Sequence, residues 1–389
     1  MFLNKLKETN PELIKFAMEL LNRHEILPDT YVLDLDTIVE NGKKMLAISK
    51  PLKIKMWFML KQVGRNPIIA KKLMDIGFDG VVAVDYKEAL LMVRHHIPLG
   101  NVGHLVQIPQ GALKTILASR PEVVTVYTYE KILEIDKVAG EIGIRQPLLF
   151  RVSDADSLQY SGQVAGFHTS NLKEVLTKVA KLKNVSFGGL TVFPALLYSQ
   201  DEHRIEITAN IQALNRAEKI AKEMGFQDYI VNIPSCTCCS SLPLISSFGG
   251  NSAEPGHGLT GTTPIHKYSD QPERIGYVYV SEISHNYDGK FFCYGGGEYR
   301  RGHLENCLVG KTLEQAKMAA IKFPDIDSID YHFELQGEHP IGDPVLMCFR
   351  TQIFTTRSQV ALVTGLATGK PELLEIDTPF GEKAVKDWI

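Results

Sequence analysis

A lysine closes an apolar run in Lys53-Ile-Lys-Met-Trp-Phe-Met-Leu-Lys61-Gln-Val-Gly-Arg65-Asn66-Pro67. Met56 to Leu60 reads as a buried strand, and a lysine at its mouth loses hydration. Desolvation disfavours the ammonium form, and a neutral amine can attack an aldehyde. The plainer alternative is a strand-end lysine whose head group reaches back into water. Other stretches could complete a site around such an amine. Ala253-Glu254-Pro255-Gly256-His257-Gly258 sets a carboxylate beside an imidazole. Gly256 permits close approach of backbone to an anion, and Pro255 fixes the chain just after Glu254. Asn232-Ile-Pro-Ser235-Cys236-Thr237-Cys238-Cys239-Ser240-Ser241 offers hydroxyl and N–H donors suited to a phosphate. Arg151 ends one apolar run and Phe193-Pro194 ends another.

The elements that must position these groups alternate. Strand-like runs fall at Tyr31–Leu35, Met56–Leu60, Gly80–Val84, Gly103–Gln107, Val123–Tyr127, Pro147–Val152, Phe187–Phe193 and Asp228–Ile233. Helix-like runs lie between them, at Thr37–Ile48, Pro67–Met74, Tyr86–Val93, Gln110–Ala118, Tyr129–Ile142, Asn171–Lys181 and Arg204–Met224. Strand and helix in alternation predict a parallel sheet, and eight strands close naturally into a (β/α)8 TIM-type barrel. An open doubly wound sheet is the rival, but no Gly-x-Gly-x-x-Gly follows the first strand. After His266 short strand-like runs take over, with Lys311–Ile321 as one expected helix. The predicted division is a helical segment over 1–28, the barrel over 29–265 and a mostly-β domain over 266–389.

Composition narrows the function. The chain of 389 residues is 44% apolar and 22% charged, with a net charge of -3, which gives no electrostatic case for nucleic acid or anionic membrane. The charged N-terminus reads as an amphipathic helix over about Pro11 to Arg23, not a signal peptide, so a cytoplasmic location is expected. Six cysteines do not form a disulfide framework, and free thiols are expected.

With these motifs in order, the chain resembles the pyridoxal phosphate enzymes built on an alanine-racemase-type barrel (fold type III). That group includes basic amino acid decarboxylases and ornithine-racemase-like proteins, and the resemblance is closest to YhfX-type members. It spans roughly Thr30 to Ile376. Tyr31-Val-Leu-Asp-Leu-Asp36 is similar to the family's opening strand, and Phe58-Met-Leu-Lys61 to the strand bearing its Schiff-base lysine. Phe150-Arg151-Val152 is similar to the strand whose arginine lies near the cofactor. Glu254-Pro255-Gly256 is similar to the decarboxylase motif whose carboxylate meets the pyridine nitrogen. Such a carboxylate stabilises a protonated ring, which makes a stronger electron sink. Gly342-Asp343 through Ser358-Gln359-Val360 resembles the closing domain of ornithine-racemase-like chains.

The resemblance implies pyridoxal 5'-phosphate held by Lys61, Arg151, Ser235, Thr237, Glu254, Gly256 and His257. It places Phe193 where racemases stack an imidazole under the ring. His257 stands where decarboxylases have arginine, so backbone donors would have to contribute more. Asp288-Gly-Lys-Phe-Phe-Cys293-Tyr294-Gly resembles the racemase segment carrying a tyrosine acid/base opposite the lysine. It also resembles a decarboxylase stretch with a cysteine supplied by the partner subunit, so Tyr294 and Cys293 compete for one role. Racemisation of an amino acid is the first reading, in a homodimer with shared sites. Decarboxylase or lyase chemistry is second, and a non-catalytic carrier third; a sugar- or phosphate-binding barrel remains if the resemblance is set aside. Cys236-x-Cys238-Cys239, His303 with Cys307, and His339 with Cys348 lack metal-ligand spacing, so no metal is assigned. His104 fits either a pocket wall or a hydrogen-bonded core position. Arg65 and Arg357 are open as carboxylate clamps.

Overall fold

The computed structural model describes residues 1–325 and 327–385. The chain divides into two compact units. One holds Lys43–Leu60 and Ala70–Gly256; the other holds Met1–Gly42, Lys61–Ile69 and the chain from His257 onward.

The first of these is a closed barrel of eight parallel strands. In chain order they are Lys55–Phe58, Gly80–Ala83, Leu99–Val102, Val123–Val126, Gln146–Arg151, Val185–Thr191, Ile230–Asn232 and Ser252–Ala253. The last pairs back onto the first, Ser252 against Lys55 and Ala253 against Met56. A helix separates each strand from the next, as parallel pairing requires. Asp85 caps the helix Tyr86–Arg94 by accepting from Glu88 N, and Thr128 caps Tyr129–Glu141 by accepting from Lys131 N. At Gly189, φ is +151° and an added Cβ would lie 2.1 Å from the Ile230 carbonyl oxygen, so a side chain there would force two barrel strands apart.

The other unit is built on a nine-stranded sheet. Towards one edge, Thr30–Asp34 lies between Tyr277–Tyr287 and Gln359–Thr364. Thr30–Asp34 runs parallel to Gln359–Thr364 and antiparallel to Tyr277–Tyr287.

The barrel and the strand-rich C-terminal region are as expected, but individual elements differ. The run at Gly103–Gln107 is not a strand: the barrel strand is Leu99–Val102, which stops before Gly103 takes left-handed backbone with φ of 92°. The run at Tyr31–Leu35 does not open the barrel. Thr30–Asp34 is buried at every position, as a barrel strand is, so its pattern could not say which sheet it joins. The eighth barrel place goes to Ser252–Ala253, which is too short to show periodicity. The expected helix Lys311–Ile321 is instead a strand, Lys317–Lys322, paired antiparallel with Asn306–Val309. Its Ala and Lys residues favour helix, but pairing overrides propensity. The long helix expected over Arg204–Met224 begins only at Asn210, because Arg204–Ile207 pairs with Leu196–Ser199 in a small hairpin.

Candidate active site

Alternate residues of each barrel strand face the interior. Trp57, Met59, Val82, Val84, Val123 and Leu149 form an apolar cluster there. Two residues further along, Val123 gives way to Thr125 and Leu149 to Arg151, and the interior becomes polar. Asn101, Thr125, Thr191, Asn232 and Ser252 are fully buried. Buried polar groups need partners, and these bond to one another. Thr191 Oγ1 donates to Asn232 Oδ1 at 2.8 Å, and Asn232 Nδ2 donates to Ser252 Oγ at 3.2 Å. Thr125 Oγ1 donates to Asn101 Oδ1 at 2.7 Å, and Asn101 Nδ2 donates to Glu254 Oε1 at 3.1 Å.

Glu254, two residues beyond Ser252, is therefore a buried carboxylate at the C-terminal end of a barrel strand. His104 Nε2 lies 3.8 Å from its Oε2. The His104 ring meets Phe193 edge-on, with centroids 5.3 Å apart. His104 thus faces the acidic group of the barrel and is more than core filling. Arg151, also buried, lies with its guanidinium carbon 5.5 Å from the Tyr127 ring centroid and 5.7 Å from that of Phe193. Its Nη2 donates to Gln163 O at 2.8 Å and its Nη1 to His104 O at 3.5 Å. Burial lowers its pKa, though a guanidinium keeps its charge. Its Nε has no hydrogen-bond partner among the described residues.

Ser235 and Thr237 sit on the loop after Ile230–Asn232 and behave differently. Ser235 and Cys236 both take left-handed backbone, with φ of 80° and 46°. The Ser235 hydroxyl accepts from Ala195 N at 3.1 Å and Leu196 N at 3.0 Å, and donates to Leu196 O at 2.8 Å. It is committed to pinning the chain after Phe193-Pro194. The Thr237 hydroxyl is buried with no partner among the described residues. Gly256 is the last residue of the barrel unit.

The remaining expected residues belong to the other unit. Lys61 starts a 3-10 turn, Lys61–Val63, three residues beyond the end of the strand Lys55–Phe58. His257 is pushed well below its ordinary pKa, chiefly by burial, with the charges of Arg350 and Lys61 adding to the effect. A neutral ring has one donor and one acceptor. The assignment that fits places the proton on Nε2, donating to Thr351 O at 3.0 Å, and leaves Nδ1 to accept from Gln62 Nε2 at 3.5 Å. Cys293 and Tyr294 are neighbours on the strand Lys290–Tyr294 and so point to opposite faces. Cys293 is fully buried, and burial pushes its thiol up to about 12. Tyr294 is 41% exposed. Arg65 lies over the rings of Phe354 and Phe380, and Arg357 bonds to Asp330, so other groups occupy both suggested clamps.

Asn101 and Thr125 were not singled out in the sequence. The available signal was a polar residue inside an otherwise apolar strand, Leu99-Gly-Asn-Val102, where a buried side chain must find a partner.

Comparison with known proteins agrees with this fold. Residues 33–264 match the family "Alanine racemase, N-terminal domain", and residues 278–373 match "YhfX-like, C-terminal domain". The chain is 42% identical over 376 residues to the "Uncharacterized protein YhfX" of Escherichia coli (strain K12), covering 96% of this chain and 97% of that one. The chain belongs to the YhfX-like family of alanine-racemase-fold proteins. Solved structures with the same fold include a D-threonine aldolase from Filomicrobium marinum, with TM-score 0.68 and 15% identity over 91% of this chain and 94% of that one. A diaminopimelate decarboxylase from M. jannaschi gives 0.67 and 12% over 94% and 93%. An alanine racemase from Clostridium difficile 630 gives 0.64 and 14% over 91% and 99%. This YhfX-like chain thus shares its fold with a racemase, an aldolase and a decarboxylase. No helix among its described residues is long and apolar enough to cross a membrane.

Proposed function

We propose that the protein is a pyridoxal phosphate enzyme acting at the α-carbon of an amino acid, and that its reaction is racemisation. The residues present suit such a cofactor. Glu254, fixed by Asn101, is a buried anion for a ring nitrogen. The Thr237 hydroxyl and the left-handed turn before it suit a phosphate, and Arg151 adds a buried cation beside Phe193. Ser235 and His257 contribute by shaping their loops, since their side chains are already bonded, and Gly256 contributes backbone. When bound, the cofactor supplies a sink for negative charge at the substrate α-carbon.

Lys61 is the amine that would hold the cofactor and exchange the α-proton on one face. Tyr294 would exchange it on the other, from the partner subunit of a homodimer. The observation that carries racemisation is the contrast at the end of one strand: Tyr294 presents its phenol to solvent while Cys293 is buried with its thiol pushed up to about 12. Glu254 favours a second reading, decarboxylation or a lyase reaction, because a carboxylate at the ring nitrogen strengthens the sink. A cytoplasmic location fits either.

The test incubates a mixed amino-acid pool with the pyridoxal phosphate-loaded protein in deuterium oxide. Chiral chromatography, α-deuterium incorporation and carbon dioxide release are read together. Inversion with α-deuterium supports racemisation, and carbon dioxide without inversion supports the second reading. A wild-type protein that gains no cofactor-dependent colour, or a colour unchanged in Lys61→Ala, defeats both. Colour without any substrate turnover leaves a cofactor carrier.

A further inference from the structure

The acidic end of the barrel interior contains more organisation than a carboxylate alone requires. Thr125, Asn101 and Glu254 come from three different strand ends, and all three side chains are buried. The Thr125 hydroxyl donates to Asn101 Oδ1, which fixes which way the Asn101 amide faces. Reversing that amide would set its carbonyl oxygen against a carboxylate oxygen, two acceptors with no proton between them. In the orientation present, the amide nitrogen donates to Glu254 Oε1. That bond holds one oxygen of the carboxylate and thereby its plane, and donation to a carboxylate favours the ionised form. His104, a titratable group, lies with its Nε2 3.8 Å from the other oxygen. The parallel chain Thr191–Asn232–Ser252 ends on a hydroxyl, so only one of the two relays terminates on a charge.

We infer that Asn101, itself oriented by Thr125, is a positioning residue that fixes the carboxylate of Glu254 for a ring nitrogen. The inference rests on the reading of the barrel as a pyridoxal phosphate site. Asn101 does not touch the reacting atoms; it acts through Glu254. An aspartate at 101 has nearly the same shape but cannot donate and brings a like charge. A valine at 125 leaves the amide free to turn over, and a serine there restores the hydroxyl.

Two measurements test this. The first uses cofactor-free protein carrying carbon-13 in its glutamate carboxyl groups, with the Glu254 resonance assigned by its loss in Glu254→Gln. In Asn101→Asp the titration midpoint of Glu254 rises by at least about one pH unit. Thr125→Val gives a smaller rise in the same direction, and Thr125→Ser matches wild type. Unchanged midpoints in Asn101→Asp and Thr125→Val overturn the proposal. Should Asn101→Asp fail to fold, Thr125→Val against Thr125→Ser decides alone.

The second measures binding of pyridoxal phosphate and of its deaza analogue, in which CH replaces the ring nitrogen. Asn101→Asp weakens the first by about tenfold and leaves the second unchanged. Equal losses for both ligands overturn the link to the ring nitrogen. If wild type binds neither ligand, the functional reading fails and that link with it. The titration then still decides whether Asn101 fixes Glu254.

Discussion

Asp29→Asn should stabilise the protein more at pH 8 than at pH 5. Burial is the main force on Asp29. It raises the carboxyl from 3.8 to about 6, against the opposing pull of hydrogen bonds from Ser358 and Tyr279 and the charge of Arg357. The folded value lies above the unfolded one, so the folded state binds more protons between them and stability falls as pH rises from about 4 through 6. Two pH units correspond to about 3 kcal/mol by pH 8. Asparagine removes that loss. It also fits the backbone, because φ at Asp29 is 64°, a left-handed conformation that asparagine tolerates. Ser358 Oγ and Tyr279 OH both donate to Asp29 Oδ1, and an amide oxygen in that place accepts both, though less strongly than a carboxylate. Weakening those bonds returns about 1 kcal/mol.

The net gain is about 2 kcal/mol at pH 8 and about 0.5 kcal/mol at pH 5. For a unit of this size the larger figure is a melting-temperature rise of about 4–8 °C. Calorimetry of wild type and variant at both pH values measures it. Glu298, raised to about 8, and Asp377, raised to about 7, titrate in both proteins, so their contributions largely cancel in the difference. An equal gain at the two pH values, or a loss at pH 8, would show that burial of charge is not what holds the Asp29 carboxyl up.

Three further outcomes are expected. If the proposed racemisation holds, Tyr294→Phe should slow α-proton exchange from one enantiomer by about 10²–10⁴ while sparing the other, measured by deuterium incorporation; equal slowing of both would remove Tyr294 from the one-sided role proposed for it. Gly100→Ala should destabilise the barrel by about 3 kcal/mol, seen in urea unfolding. The new Cβ would sit 2.2 Å from the Trp57 ring, which is buried and held by its Nε1 donating to Glu122 at 3.1 Å. On alkylation of the native protein followed by peptide mapping, Cys236, which is partly exposed, should react before Cys293, Cys307 and Cys348, whose thiols burial pushes up to about 12 or beyond.

Much of the barrel could be read from the chain because a parallel strand, covered on both faces, appears as a short apolar run between amphipathic helices. Six of its strands announce themselves this way; Leu99–Val102, whose run is broken by Gly100 and Asn101, does not. Thr30–Asp34 has the same signature yet belongs to the nine-stranded sheet, since hydrophobic pattern records burial but not the neighbour that provides it. Lys317–Lys322 shows the reverse case, in which helix-favouring residues become a strand once Asn306–Val309 is beside them.

The candidate site divides along the same line. Lys61, Arg151 and Glu254 are apparent from sequence because each is a charged group set at the end of an apolar run or in a turn built of proline and glycine. Residue types and local order were enough to propose a chemistry. Their partners were not apparent. Asn101 meets Glu254 across 153 residues of chain, and His257 meets the carbonyl of Thr351 across 94. Folding alone made Ser235 a loop pin while leaving the Thr237 hydroxyl without a partner among the described residues, and it buried Cys293 while exposing Tyr294. Side-chain type follows from the sequence directly, but the availability of a hydrogen-bonding group depends on which distant backbone and side-chain atoms closure of the barrel and sheet brings within about 3 Å of it.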